Sequence, residues 1–301
     1  MIALSQFQQA MFLRGLSGLL VAATLAVASA HALAATPDSA AALRERHAQM
    51  APEMARSAFQ RPMAVQSSES GTLLQGSVDA VLPQAFALAR DHLQRPEALC
   101  EILMLQINTK QCAVNSTEKG HELVAHIGRK SDQPVADAYR VAFTMQPLAN
   151  TPEHMSLRLG ADTGPFSTRD FRIQLQAIPL DGGQRTYLHL SYSYGIGLPA
   201  KLAMQGYLAT AGSSKVGFTR TAGDGYIGGM RGAIERNTMR YYLAIEAYLA
   251  SLSAPEPQQR ALRLERWFAS TEQYARQLHE LDRADYIAMK QREFRRMAAT
   301  G

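Results

Sequence analysis

From about residue 120 to residue 196 the chain alternates apolar and polar residues, segment after segment. "ELVAHIGRK" sets Leu123, Ala125 and Ile127 on one side, and "AYRVAFTMQ" sets Tyr139, Val141, Phe143 and Met145 against Arg140, Thr144 and Gln146. "HMSLRLG" continues with Met155, Leu157 and Leu159. "DFRIQLQAI" turns Phe171, Ile173, Leu175 and Ala177 away from Arg172, Gln174 and Gln176, and "RTYLHLSYSYG" does the same with Leu188, Leu190, Tyr192 and Tyr194. A period of two places successive side chains on opposite faces, so these are strands with one apolar face. Asp181, Gly182 and Gly183 in "LDGGQ" supply a turn. The series predicts antiparallel hairpins and argues against a parallel sheet alternating with helices.

The flanking segments read as the cover for that face. "TLLQGSVDAVLP" is a further strand, followed by two short helices, "PQAFALARDHL" and "RPEALCEILML", the second opened by Pro96. After the strands, "GLPAKLAMQGYLATAG" reads as helical from Pro199. "GAIERNTMRYYLAIEAYLASL" reads as a long helix whose Ile234, Thr238, Tyr241, Ile245, Tyr248 and Leu252 form one packing stripe. The remainder, from a proline break at 255, reads as charged amphipathic helices that expose Trp267 and Phe268 at a contact.

The first residues have a different character. Arg14 is the only charge before Asp38, an apolar run extends from Leu16 to Ala30, and Ala32 and Ala34 form an A-x-A site. This is the pattern of a secretory signal peptide, with cleavage after Ala34 or, alternatively, after Ala32. An uncleaved anchor is the competing reading, against which the run falls short of the roughly 20 residues of a bilayer span. The domain expectation is therefore a signal peptide at 1–34, a helical arm and linker at 35–70, a main domain at 71–253 and a helical extension at 254–301. The arm is "DSAAALRERHAQMAPEMARSAFQ", interrupted at Pro52, and "RPMAVQSSESG" is the linker. Localisation is expected to be periplasmic or secreted, with no transmembrane segment after cleavage. Loss of Arg14 lowers the formal charge from +5 to +4, and the basic residues are dispersed among acids, which is no nucleic-acid stripe.

Cys100 and Cys112, with eleven residues between them, suit a structural disulfide in an oxidising compartment, tying the end of a helix to the strand after it. Two buried free thiols are the alternative.

Several motifs invite chemistry. "GDGYIGGMRG" matches G-x-G-x-x-G through Gly223, Gly225 and Gly228, but hairpins precede it and no βαβ unit surrounds it, so no nucleotide is expected. The stretch reads as a loop, with a gate over a pocket as the functional alternative. "HELVAH" has one residue too many for H-E-x-x-H, and on a strand His121 and His126 point to opposite faces. "GSSK" at 212–215 lacks a nucleophile elbow. His189, Glu235 and Arg236 are the acid-base candidates, against the plainer readings of a solvent-facing histidine and a helix ion pair. No metal and no cofactor are expected.

The order of elements, strand "GSVDAVLP", two short helices, antiparallel strands through "RTYLHLSYSYGIG" and late helix "ERNTMRYYLAIEAYL", resembles the START-like helix-grip superfamily over about residues 70–252. Residues 198–231 then stand as an insertion before the grip helix. The resemblance implies an α+β fold in which a curved antiparallel sheet wraps a long helix, with additional N- and C-terminal helices. It also implies a cavity for a lipid, sterol or other apolar ligand. Met145, Tyr192, Tyr194, Tyr241, Ile245 and Arg236 are its expected binding residues; a fully packed core is the alternative. The expected function is an exported binder or carrier of a hydrophobic molecule. An enzyme using the same cavity, and an envelope adaptor docking a protein partner through its C-terminal helices, are the other two readings.

Overall fold

The elements follow in the order α1 (Ala40–Ala55), β1 (Met63–Ser70), β2 (Leu73–Leu82), α2 (Phe86–Leu93), α3 (Pro96–Met104), β3 (Thr109–Thr117), β4 (Gly120–Ile127), β5 (Tyr139–Thr151), β6 (His154–Thr163), β7 (Thr168–Leu180), β8 (Arg185–Ile196), α4 (Leu198–Ala209), α5 (Gly229–Ser251), α6 (Glu256–Glu272), α7 (Ala275–Leu278) and α8 (Arg283–Thr300). The structure is a computed structural model that describes residues 38–118, 120–210, 212–223 and 225–300; the signal peptide read at 1–34 lies outside them.

The strands form one sheet in the order β1-β2-β8-β7-β6-β5-β4-β3, antiparallel at every pairing. The two short helices carry the chain from β2 across to β3 at the far edge. Register follows the alternation read from the sequence. Leu123 pairs with Phe143, Met145 with Leu159, Leu159 with Ile173, Ile173 with Tyr192 and Val78 with Leu190. These pairs build a continuous apolar face, and α5 lies across it. At Gly76 on β2 an added Cβ would run into Thr238 and Ile234 of α5, so glycine permits the closest approach of helix to sheet. This is a helix-grip fold.

The stretch 61–71 is not a linker. It contains β1, paired along its whole length with β2 from Met63–Ala80 to Ser70–Leu73, and the chain reverses at Gly71 with φ +56°. Only Met63, Ala64 and Val65 are buried, and the polar half of this edge strand hides its period. Nor does α1 break at Pro52, which falls in its last turn. Ser39 caps the helix by accepting from Ala42 N at 3.2 Å, and Asp38 accepts from Arg158 at 3.3 Å and from Gln174. Leu43, Met50 and Met54 of α1 pack with Ala64, Ile178 and Tyr187, on the face of the sheet turned away from α5. The arm is a second layer.

The C-terminal helices share the main core. Trp267 is 2 % exposed, stacks on Tyr286 at 4.9 Å and donates from Nε1 to the Arg240 carbonyl at 3.2 Å. Phe268 stacks on the same tyrosine. The expected partner contact at Trp267 and Phe268 is thus covered by α8, which returns over α6. Two buried lysines, Lys110 of β3 and Lys290 of α8, share Glu293 at 3.0 and 2.8 Å, and Lys290 also donates to Thr109 O. No helix among the described residues is long and apolar enough to cross a membrane.

Cys100 and Cys112 are joined, with Cα atoms 5.4 Å apart, tying α3 to β3. A loop of this length is worth about 3 kcal/mol in the chain-entropy account. Cys100→Ser/Cys112→Ser, or reduction of the wild type, is expected to lower the urea-unfolding free energy by roughly 2–4 kcal/mol. An unchanged midpoint would show that the bond adds nothing to stability.

Candidate ligand-binding cavity

The sheet's apolar face is wider than α5, and between them a cavity of about 640 Å³ remains. Alternation on the strands and helical spacing on α5 determine its wall. Val141 and Phe143 of β5, Phe171 of β7 and Tyr192 and Tyr194 of β8 share the inward row. Met230, Ala233, Asn237, Arg240 and Tyr241 recur at helical steps on one side of α5, and Ala200 and Met204 of α4 complete the apolar part. The rings form a connected cluster: Phe171 stacks on Tyr194 at 5.4 Å, while Tyr192 lies 5.5 Å from both Tyr194 and Tyr241. At the rim Tyr139 and Phe166, 52 % and 68 % exposed, touch at 5.6 Å.

Burial keeps the tyrosine hydroxyls protonated. Tyr194 and Tyr241 are pushed up to about 12, and Tyr192 is raised well above its ordinary value. They hydrogen-bond no described residue, which leaves them as donors to the cavity.

The opposite end is polar. Gln106 donates to the Arg240 carbonyl at 3.0 Å, and Gln133 Oε1 accepts from Arg129 N at 2.7 Å. Glu280, in the turn after α7, accepts from Arg240 Nη2 at 2.9 Å, from Lys215 at 3.0 Å and from Lys130. Burial alone would raise the Glu280 carboxyl. The Lys130 bond and the charges of Arg240 and Lys130 outweigh burial and hold it down to about 2.

Tyr192, Tyr194 and Tyr241 therefore line the cavity together. Met145 is buried opposite Leu159 and Ile245 a turn further along α5, and neither is part of the wall. Arg236 points elsewhere, donating to Val216 O at 3.2 Å. Sequence reasoning passes over Phe143 and Phe171, although it finds their rows, and over Asn237 and Arg240, which share the Tyr241 side of α5.

The acid-base candidates lie away from the cavity. His189 is buried, not solvent-facing, on the other face of the sheet beneath α1. Its Nδ1 sits 2.8 Å from Asp79 Oδ1; Asp79 also accepts from Arg46 Nε and Nη2 at 2.8 and 2.7 Å and from Tyr187 Oη at 2.6 Å. Burial would raise the Asp79 carboxyl, but His189 and Arg46 hold it far below the usual range. Glu235 does not pair with Arg236. It accepts from Ser67 Oγ (2.6 Å), Phe218 N (2.6 Å), Thr219 N (2.9 Å) and Thr219 Oγ1 (2.7 Å).

The glycine stretch belongs to a short hairpin, with Gly217 N donating to Ile227 O at 2.7 Å and Ile227 N to Thr219 O at 2.8 Å. Glu235 fastens this hairpin to α5, and a Cβ at Gly217 would collide with the Glu235 carboxylate. The loop read as a gate is thus tied to the grip helix, and among the described residues no strand–turn–helix nucleotide site surrounds it. His121, Glu122 and His126 lie along β4, and no metal-holding group of three such side chains occurs among the described residues.

The fold and cavity define a helix-grip protein with a partly open cavity, apolar at one end and polar at the other. No family model matches the chain, and no curated protein matches it. Among solved structures it is similar to a conserved protein of unknown function from Enterococcus faecalis, at 11 % identity over 72 % of this chain and 95 % of that one, with a TM-score of 0.34. It is also similar to the human StarD13 lipid transfer and protein localization domain, at 10 % identity, 48 % and 76 % coverage and a TM-score of 0.34. An aromatase/cyclase from a Streptomyces species shares 13 % identity over 73 % and 99 %, with a TM-score of 0.28. These likenesses are slight in overall superposition.

Glu280 links stability to pH. Its folded value lies below its unfolded one, so its contribution is complete above about pH 5 and is lost as pH falls toward about 2. In Glu280→Gln the urea midpoints at about pH 7 and about pH 3 are expected to lie closer together than in the wild type. Equal separation in both proteins would show that this carboxylate does not drive the acid loss.

Proposed function

We propose that the protein binds and carries an apolar small molecule or lipid in the cavity between β5–β8 and α5, as an exported, non-membrane-spanning protein. The observation that carries this is a chamber of about 640 Å³ whose larger wall is aromatic and aliphatic, in the size range of small-molecule sites. The signal-peptide pattern at 1–34 and the Cys100–Cys112 bond support export.

Burying about 300 Å² of ligand surface at about 25 cal/mol per Å² gives roughly 7 kcal/mol before the cost of immobilisation. Such a site reaches useful affinity only if the rings close around the ligand, as the Phe171–Tyr192–Tyr194–Tyr241 cluster is placed to do. Access runs past Tyr139 and Phe166 at the rim. α4 is the cover: Ala200 and Met204 face inward, and Leu198, Leu202 and Tyr207 stand exposed outside.

Native mass spectrometry of protein purified without detergent, followed by organic extraction, is expected to reveal a lipid-sized adduct. Ala233→Phe places a ring in the chamber and is expected to abolish the adduct while leaving the melting temperature within a few degrees. A clean apo mass, unchanged after incubation with total membrane lipid, would overturn the carrier reading.

A further inference from the structure

The cavity wall is divided by polarity across the sheet. Its aromatic part comes from β5, β7 and β8, and its polar part from the β3–β4 side: Gln106 and Asn108 before β3, and Arg129, Lys130 and Gln133 after β4. Asn237 and Arg240 of α5 complete the polar end. A chamber built only for a neutral hydrocarbon has no use for this segregation.

The polar end also carries an excess of positive charge. Arg129, Lys130 and Arg240 are in the wall, and Lys215 stands just behind it. Opposing them are Asp137 on the exposed rim and Glu280, one carboxylate divided among Lys130, Arg240 and Lys215. Burial and the neighbouring Arg240 charge lower Arg236, one turn away, to about 10, in keeping with a locally positive field.

Arg240 has capacity to spare. It is 6 % exposed, its Nη2 serves Glu280 and the Leu278 carbonyl, and its buried Nε has no hydrogen-bond partner. Its backbone is held firmly, since Gln106 and Trp267 both donate to its carbonyl. The Asn237 side chain, one turn earlier on the same wall, bonds no described residue. A buried N–H without an acceptor is costly, and an acceptor on a ligand removes that cost.

Resting on the reading of the chamber as a ligand site, we propose that its ligand is an amphiphile with an anionic head. The head, a carboxylate or phosphate, sits against Arg240, Asn237 and Lys130, and the apolar tail lies among the β5–β8 rings. Charge-assisted bonds from a guanidinium and an ammonium select an anion over a neutral polar head of the same size.

The test is displacement of the neutral dye Nile red from the full folded protein at about pH 7, where a carboxylate is ionised and Lys130, lowered by burial to about 8, still carries its charge. The competitors are dodecanoate, dodecyl phosphate, dodecanol and inorganic phosphate. At least one charged amphiphile is expected to displace the dye about tenfold more tightly than dodecanol, and which of the two does so distinguishes carboxylate from phosphate. Inorganic phosphate is expected to leave the dye bound.

Arg240→Met and Lys130→Gln should each narrow that preference, read as the ratio of charged to neutral competitor affinity measured within the same variant. Lys130 is at the exposed rim, so its variant decides the matter if Arg240→Met does not fold. Equal displacement by charged and neutral amphiphiles in the wild type, an unchanged preference in the variants, or displacement by inorganic phosphate alone overturns the anionic head and leaves the apolar chamber standing. Failure of Nile red and all amphiphiles to bind removes both proposals.

Discussion

The structure depends on a mismatch of widths. Eight strands about 4.8 Å apart make a sheet about 33 Å across, and a helix covers only about 10 Å of it. With its inward rows apolar from β2 to β8, the sheet cannot be covered by α5 alone. Helices later and earlier in the chain than α5, other than α1, complete the cover. α3 and α8 lie over the β3 side, α6 and α7 flank α5, and α4 caps the end of β8. The chamber is the part that this patchwork leaves open. Its position beside the aromatic rows follows from where the cover is thinnest.

One stretch of α5 holds the arrangement in place. Glu235 reaches out of the helix to β1 and to the 217–227 hairpin, saturated by four donors, while Asn237, Arg240 and Tyr241 face the cavity. A buried carboxylate is tolerated only when so bonded. The helix is thus oriented by polar bonds on one side, and the side left to the cavity is determined by default. Gly76 beneath Thr238 sets its height above the sheet.

Much of this is legible in the sequence because a period of two is robust: every inward residue named on β4 to β8 lies in the expected row, and the grip helix is evident from its stripe. Sequence alone fails where a residue's environment comes from elements distant in the chain. β1 is hidden because an edge strand need bury little, and its Gln66–Ser70 half carries no alternation. His189 reads as solvent-facing because nothing in its own strand announces that α1 will cover that face and bring Arg46 to Asp79. Trp267 reads as exposed because the helix that covers it comes later. Arg240 escapes notice because a charged residue on an apolar stripe looks like a surface residue, and its burial is evident only once Gln106, Trp267 and Glu280 surround it.

The second layer formed by α1 has a further meaning. Asp38 is tied to Arg158 and Gln174, Ser39 caps the helix, and Arg46 neutralises an aspartate buried in the sheet beneath it. Removing this segment would strand Asp79 without its guanidinium partner. For any maturation that shortens the chain from its N-terminus, the fold therefore imposes an inward limit: a cut beyond Arg46 would take away part of the folded unit's charge balance.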